Sequence, residues 1–320
     1  MRLFHQLNSV VAILLMGAGA AFSQDYPNKP VHFVVPSAPG TVADAVGRLV
    51  APDMSKFIGQ TILVENKPGA NYLIGYDHVA RQMPADGYTV SVAFIPALAT
   101  LPLMSKDLRF DPLRDLPPVV GLADGPYIFG SASKLPWKTF NELIAHAKAN
   151  PGKLNYGASS PGARLSTEAL IRGAGLSVVY IPYAGSASPY FTGLMSGEVH
   201  MGFVGESTAV SFGDKFRVLA VTGSKRLASF PDAPPLAEFG YPQIRGLGFS
   251  LNVRLGTPKT ATDKLLAGAL QTLKLATIKA QFAKLQLDIA EQSPEDAARR
   301  LADDARLFAD IARKIGFQPE

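Results

Sequence analysis

Three segments of this 320-residue chain combine small residues with hydroxyls, and each runs directly into an expected helix. The first is Pro36-Ser37-Ala38-Pro39-Gly40-Thr41-Val42-Ala43-Asp44, the second Gly157-Ala158-Ser159-Ser160-Pro161-Gly162-Ala163-Arg164, and the third Pro182-Tyr183-Ala184-Gly185-Ser186. The chemistry open to them is capture of an anion. Backbone N–H groups at a helix start are unpaired and carry the positive end of the helix dipole. Small side chains let a ligand reach those groups, and Ser37, Thr41, Ser159, Ser160 and Ser186 add hydroxyl donors. The plainer reading of one such loop is an ordinary connector; three of them at strand ends favour a ligand site. Arg164 admits two readings, a bidentate partner for a carboxylate or a solvated pair with Glu168 one turn on. Signatures of catalysis are missing. No G-x-S-x-G elbow or Walker A loop occurs, and Gly246-Leu247-Gly248 is not continued into a dinucleotide fingerprint. His5, His32, His78, His146 and His200 are scattered, with no H-E-x-x-H pair for zinc. We therefore expect no enzyme, no metal and no cofactor.

Strands alternating with helices must position these loops, and that alternation predicts a largely parallel sheet covered by helices. Strands are expected at 31–35, 61–65 and 88–94, with helices at 44–58 and 73–81. Pro52 is expected to kink or restart the first helix. The pattern begins again after Pro126: strands at 127–131, 154–157, 178–180, 199–203 and 217–222, helices at 139–149, 165–173 and 189–196. A proline-rich connector (Pro231, Pro234, Pro235, Pro242) leads to an extended stretch at 248–253 and to helices at 261–277, 278–285 and 294–315. In the last of these Ala298, Leu301, Ala305, Leu307, Phe308 and Ile311 form an apolar stripe suited to packing on a core. Two strand–helix units with facing loops imply a cleft at the carboxyl ends of their strands.

Bulk properties place this site outside the cytoplasm. Arg2 and a short apolar run from Val10 to Ala21, followed by Ala21-Phe22-Ser23, read as a signal peptide cleaved near Ser23. The alternative, an uncleaved anchor, needs roughly 20 apolar residues. The chain has no cysteine, which leaves no disulfide, no thiolate chemistry and no acylation site for a lipid anchor. A Gram-negative periplasm fits. Net charge is +5, from 31 Lys and Arg against 26 Asp and Glu, and the basic residues are dispersed. Mild attraction for small anions accounts for that surplus better than nucleic acid does.

An ordered set of motifs resembles the solute receptors of tripartite tricarboxylate transporters, the Bug-type family. The set is Tyr26-Pro27-Asn28-Lys29-Pro30, Val64-Glu65-Asn66-Lys67-Pro68-Gly69-Ala70 with Ile74-Gly75, Asp86-Gly87-Tyr88-Thr89, Phe110-Asp111-Pro112, and Pro151-Gly152-Lys153-Leu154-Asn155-Tyr156. It continues with Ile181-Pro182-Tyr183-Ala184-Gly185, Leu219-Ala220-Val221-Thr222 and Gly256-Thr257-Pro258. The resemblance implies an α/β Venus flytrap of type II periplasmic binding protein topology. Its domains would be 24–124 with 246–320, and 125–245, joined by two crossovers. It also implies a monomeric receptor that delivers a carboxylate to the membrane components of a transporter. Presentation of the ligand to a sensor kinase is the alternative, and an enzyme on the same scaffold a third. Ser37, Ala38, Gly40, Thr41 and Asp44 match positions that embrace one carboxylate, with Asp44 expected to cap the following helix and hold waters. Ser159, Ser160 and Gly162 match the second loop, and Tyr183, Gly185 and Ser186 the third. The chain also departs from the family. Ser37 replaces an aromatic, Thr41 and Val42 replace glycines, Arg164 falls where His is frequent, His200 and Val204 replace acidic positions, and Phe94-Ile95-Pro96 replaces a more polar stretch. Those changes point to a more apolar or aromatic carboxylate.

Overall fold

The structure, a computed structural model, describes residues 26–317 apart from residues 107, 184–186 and 224. The expected leader at 1–23, and Gly185 and Ser186 of the third loop, lie outside the described residues.

The chain opens with β1 (Val31–Val35), α1 (Val42–Ile58) and β2 (Ile62–Asn66). Then come a short helix α2 (Leu73–Asp77), which runs on into a π turn at His78–Gln82, and β3 (Thr89–Phe94). Helices α3 (Ile95–Met104) and α4 (Pro112–Asp115) and strand β4 (Pro118–Gly125) complete the first pass. The second unit holds β5 (Tyr127–Ala132), α5 (Phe140–Ala149), β6 (Asn155–Tyr156), α6 (Pro161–Gly173) and β7 (Val179–Tyr180). It ends with α7 (Ala187–Ser196), β8 (Gly202–Gly205), α8 (Glu206–Phe212) and β9 (Phe216–Val221). The return pass supplies β10 (Leu247–Val253), α9 (Lys259–Lys274), α10 (Ala276–Lys284), β11 (Asp288–Gln292) and α11 (Pro294–Ile315).

Two groups of strands result. A six-stranded sheet runs β11-β4-β10-β3-β1-β2, drawing its strands from both ends of the chain. The middle of the chain forms a three-stranded sheet, β8-β5-β9, and a β6-β7 pair that a Tyr156–Met201 bridge connects to β8. The expectation of a largely parallel sheet is corrected. Among the ladders of the described residues, only β2-β1-β3 and β6-β7 pair in parallel, with single parallel bridges at Tyr156–Met201 and Val221–Pro235; β10 runs antiparallel to both β3 and β4, β11 to β4, and β5 to both β8 and β9. All seven residues of β10 are buried. A strand buried on both faces has no alternation from which its direction could be read, and the returning chain sets it.

Five elements carry no sequence expectation: α3, α4, β4, α8 and β11. In α3 the run Ile-Pro-Ala-Leu-Ala-Thr-Leu-Pro-Leu-Met is apolar nearly all round, and its first seven residues are buried. Such a helix has no amphipathic period. The expected strand at 199–203 forms slightly later, at Gly202–Gly205. Helix α1 does not restart at Pro52, which lies exposed on the solvent side of one continuous helix. Its buried positions Val46, Val50, Met54 and Ile58 recur every four residues, so one face meets the sheet. On α11 the buried stripe takes Ala297 rather than Ala298, with Leu301, Phe308 and Ile311 as expected.

The chain passes between the sheets twice, at Gly125–Pro126 and at Gly246, and these crossings touch: a Cβ on Gly246 would strike the carbonyl of Gly125. An ionic cluster braces them. Arg300 bonds to Asp124 and to the Leu247 carbonyl (2.8 Å), and Arg245 reaches Asp304 (3.4 Å). Burial pushes the Asp304 carboxyl up to about 6, against the pull of Arg300 and Arg245. A single apolar cluster continues from Phe33 through Phe94 and Phe249 to Tyr127 and Phe203, so the core is shared by both units.

Candidate functional site

Parallel pairing of β1 with β2 and β3 puts the ends of all three strands at one edge of the larger sheet. Loop 37–41 leaves β1 there, residues 67–72 leave β2, and Phe94-Ile95-Pro96 leaves β3. Antiparallel pairing of Phe249 with Phe94 and of Leu247 with Gly125 brings both crossings to the same edge. In the second unit β6, β7 and β8 run in parallel, and Tyr127 at the start of β5 pairs with Gly205 at the end of β8. Loop 157–160 and the stretch following Tyr180 therefore emerge beside the crossings too. The two edges meet: a Cβ on Gly162 would come within 2.8 Å of Pro96 Cβ.

The first loop is held by a closed network. Thr41 is the N-cap of α1, its Oγ1 accepting from the Asp44 N–H (3.4 Å). This corrects the expectation that Asp44 caps the helix. Asp44 sits one turn in and reaches back, its Oδ2 accepting from the Gly40 N–H (2.9 Å), a variant of the capping box. Its Oδ1 accepts from Arg48 Nε (2.9 Å) and Asn66 Nδ2 (2.9 Å), and Asn66 also donates to the Ser37 carbonyl (3.0 Å). Burial raises the Asp44 pKa, but Arg48, the Gly40 amide and Asn66 together outweigh it and hold the carboxyl below its ordinary value. Ser37 and Thr41 share a hydrogen bond (2.7 Å). Ser37 is buried, while Ala38, Pro39 and Gly40 remain exposed.

The second loop is pinned differently. Ser160 caps α6, accepting from the Ala163 N–H (3.3 Å), with Pro161 at the first helical position. Ser160 also makes a polar contact with the phenol of Tyr127, and Ser159 is half-buried. Arg164 lies over the Tyr180 ring at 4.0 Å and against Phe317 at 4.6 Å, as a cation–π pair on each side. Its Nε is buried without a hydrogen-bond partner. Glu168 takes Arg172 (3.6 Å) and the Tyr156 hydroxyl instead.

Of the other expected residues, Phe94 ends β3, stacked on Phe249 with centroids 5.5 Å apart. Tyr183 packs its ring on Gly157 and sets its hydroxyl against Gly193. Val204 is buried with Ile128 and Tyr190 in a separate cluster, on the opposite face of β8 from Phe203. The structure thus brings Ser37, Thr41, Asp44, Phe94, Ser160 and Gly162 to one junction and turns Val204 away from it. Sequence reasoning missed Tyr72, Tyr127 and Phe249 at the same place. The Pro126 break before Tyr127 was the one available signal. Cavities of about 450 and 580 Å³ lie elsewhere, the first beside the crossings and the second between α5 and residues 226–239. Neither is lined by the loop residues.

Comparison with known proteins matches this architecture. The pattern describing tripartite tricarboxylate transporter family receptors matches residues 46–317. Among solved structures, the periplasmic binding protein BugD is 27% identical with a TM-score of 0.78, covering 92% of this chain and 100% of its own. The Rhodopseudomonas palustris protein Rpa4515 with adipate is 27% identical, with a TM-score of 0.81 and the same coverage. MatC of Rhodopseudomonas palustris with bound malate is 25% identical, with a TM-score of 0.77, covering 89% of this chain and 99% of its own. The fold is that of a periplasmic binding protein.

Proposed function

The chain belongs to the tripartite tricarboxylate transporter receptor family, and on that premise we propose that it captures a small carboxylate in the periplasm and passes it to the membrane components of a transporter. One observation carries this reading: the N-termini of α1 and α6, each capped by a hydroxyl residue, are brought to the junction of the two sheets. Both ends offer unpaired N–H groups to an anion held between them. The solved relatives that hold adipate and malate support the ligand class.

The contacts proposed here are Ser37, Ala38, Gly40 and Thr41 from the first loop and Ser159, Ser160 and Gly162 from the second. Asp44 orders the first loop, and its carboxylate is already saturated by Gly40, Arg48 and Asn66. Phe94, Phe249, Tyr127 and Phe203 supply an apolar flank, which favours a ligand with an aliphatic or aromatic body over a heavily hydroxylated one. Residues 24–124 with 246–320, and 125–245, act as the two closing domains of a monomer, and ligand bound to both shifts the open–closed balance. The leader is removed near Ser23 on export.

Mass spectrometry of small molecules released from the purified protein tests this directly, together with a thermal-shift screen of mono- and dicarboxylates. Stabilisation by adipate or by aryl carboxylates ahead of malate is the expected order. Stabilisation by citrate-like acids alone sinks the apolar preference. Stabilisation by no carboxylate sinks the ligand class.

A further inference from the structure

Between β2 and α2 the backbone does something unusual for its sequence. Ala70, Asn71 and Tyr72 follow one another with φ of 45°, 51° and 73°, after Gly69 at 127°. Three consecutive non-glycine residues in the left-handed region are strained, and such strain persists only where the surroundings impose it. Here they do: Gly75 at the start of α2 sits so close to β1 that a Cβ would meet Pro36 Cα at 2.6 Å and the Lys67 carbonyl at 2.8 Å.

The strained turn delivers Tyr72 to the junction. Its ring lies 6.1 Å from Phe94 and packs against two of the apolar clusters. Protein surrounds the ring deeply, yet part of it stays open to solvent, as for a residue that lines a crevice. Its phenol is near enough to Tyr76 in its own unit and to Tyr127 in the other to interact electrostatically with both. The three phenols are not equivalent. The Tyr76 hydroxyl donates to the Phe94 carbonyl (3.1 Å) and accepts from the Phe94 N–H (3.0 Å). Tyr127 contacts Ser160. The Tyr72 hydroxyl has no hydrogen-bond partner among the described residues, whereas that of Tyr76 has two.

We propose that Tyr72 is a specificity-determining residue of this site, its O–H donating to a carboxylate of the bound ligand while its ring closes the aromatic flank formed with Phe94. The assignment rests on the carboxylate reading above and adds the side chain that selects within that class. Burial raises the phenol pKa, so the group remains a neutral donor through the physiological range and does not repel the anion. An acid that places a carboxylate beside an apolar body satisfies both parts of the side chain. One that carries a hydroxyl next to the carboxylate, as malate does, sets that hydroxyl against the Phe94 ring.

The test compares wild type with Tyr72→Phe, which keeps the ring and the turn and removes one hydroxyl. Adipate, benzoate and malate serve as probes in titration calorimetry, and melting of the ligand-free proteins serves as the structural control. The expected result is unchanged melting and a roughly ten- to hundredfold loss of affinity for the best-bound acid, the size of a hydrogen bond to a charged group. Equal affinity of the two proteins overturns the assignment, as does a loss that only follows a lowered melting temperature. Wild-type protein that binds none of the three overturns the carboxylate reading, and this assignment falls with it. Asn71→Gly relaxes the turn and leaves the phenol in place. A several-fold loss of affinity there supports placement by strain, and unchanged affinity overturns that part.

Discussion

The loops that open α1 and α6 have the same local design and different anchorage. Each leaves the end of a parallel strand, each ends in a hydroxyl N-cap, and each offers small residues to the junction. Loop 37–41 is tied wholly to its own unit, through Asp44, Arg48 and Asn66. Loop 157–160 and the helix it opens are tied across the junction, by Gly162 against Pro96, by Arg164 against Phe317, and by Arg172 to the Lys314 carbonyl (3.3 Å). On the proposed reading, the first half-site would be ordered before anything binds and the second would be completed by closure. A receptor needs both: a preformed surface lowers the ordering cost of binding, and a surface that forms only on closure couples ligand to conformation.

The largest effect that separates them is expected at Gly162. In Gly162→Val the added carbons must displace Pro96, and overpacking of that kind costs about 1–3 kcal/mol. The contact lies between the two units, so the cost falls on closure. Ligand affinity should drop on the order of tenfold or more by calorimetry, with little change in ligand-free melting and a larger radius of gyration by solution scattering. Wild-type affinity in this variant would break the distinction.

Asp44→Ala is the counterpart in the first loop. It removes three hydrogen bonds to a buried carboxylate and should cost about 2–3 kcal/mol of stability, read as a lowered melting temperature with or without ligand. The pH dependence has a definite sign. The Asp44 pKa is depressed in the folded state, so its contribution is fully present above the unfolded value of 3.8 and disappears as pH falls through the lower folded value. Asp304 at the crossings behaves oppositely. Its folded pKa is raised to about 6, so stability declines as pH rises from about 4 to about 6. Asp304→Asn should remove that decline, and Asp44→Ala the loss in acid.

The two caps should differ in where their loss is felt. Thr41→Ala and Ser160→Ala each remove a helix N-cap, worth about 1 kcal/mol. Thr41→Ala should lower the stability of the ligand-free protein. Ser160→Ala should act chiefly on the ligand-bound state, because Ser160 opens the helix whose Gly162 packs on Pro96 of the other unit.

Much of this contrast was legible before any coordinates. Small residues and hydroxyls at 36–44 and 157–164 mark both loops, and the resemblance named the family and the fold. What stayed hidden has particular causes. Strand direction is not written into a fully buried run such as Leu247–Val253. Helix α3, apolar on all sides, shows no period. The cap of α1 fell to Thr41 rather than Asp44, because a carboxylate one turn into the helix could satisfy three groups at once, Gly40, Arg48 and Asn66. Tyr72 follows Ala70 and Asn71; Asn alone of the three favours the left-handed region, and Ala and Tyr give no sign of it. Arg164 read as an anion ligand or a surface pair, since its ring partners Tyr180 and Phe317 lie far away in sequence.

Arg164 gives the smallest expected effect and the finest test of the comparison. Its guanidinium lies between a ring of its own unit, Tyr180, and a ring of the other, Phe317. A partly exposed cation–π contact is worth about 0.5–1 kcal/mol. Because Phe317 belongs to the opposite unit, that energy is present only when the units are together. Arg164→Ala and Phe317→Ala should each weaken ligand binding two- to fivefold, and the double variant should be no worse than the stronger single one. That non-additivity in a double-mutant cycle is the mark of a direct pair. If the two losses multiply, the residues act separately. If Arg164→Ala alone costs far more than Phe317→Ala, the guanidinium is reaching the ligand, and the second loop then carries charge recognition as well as closure.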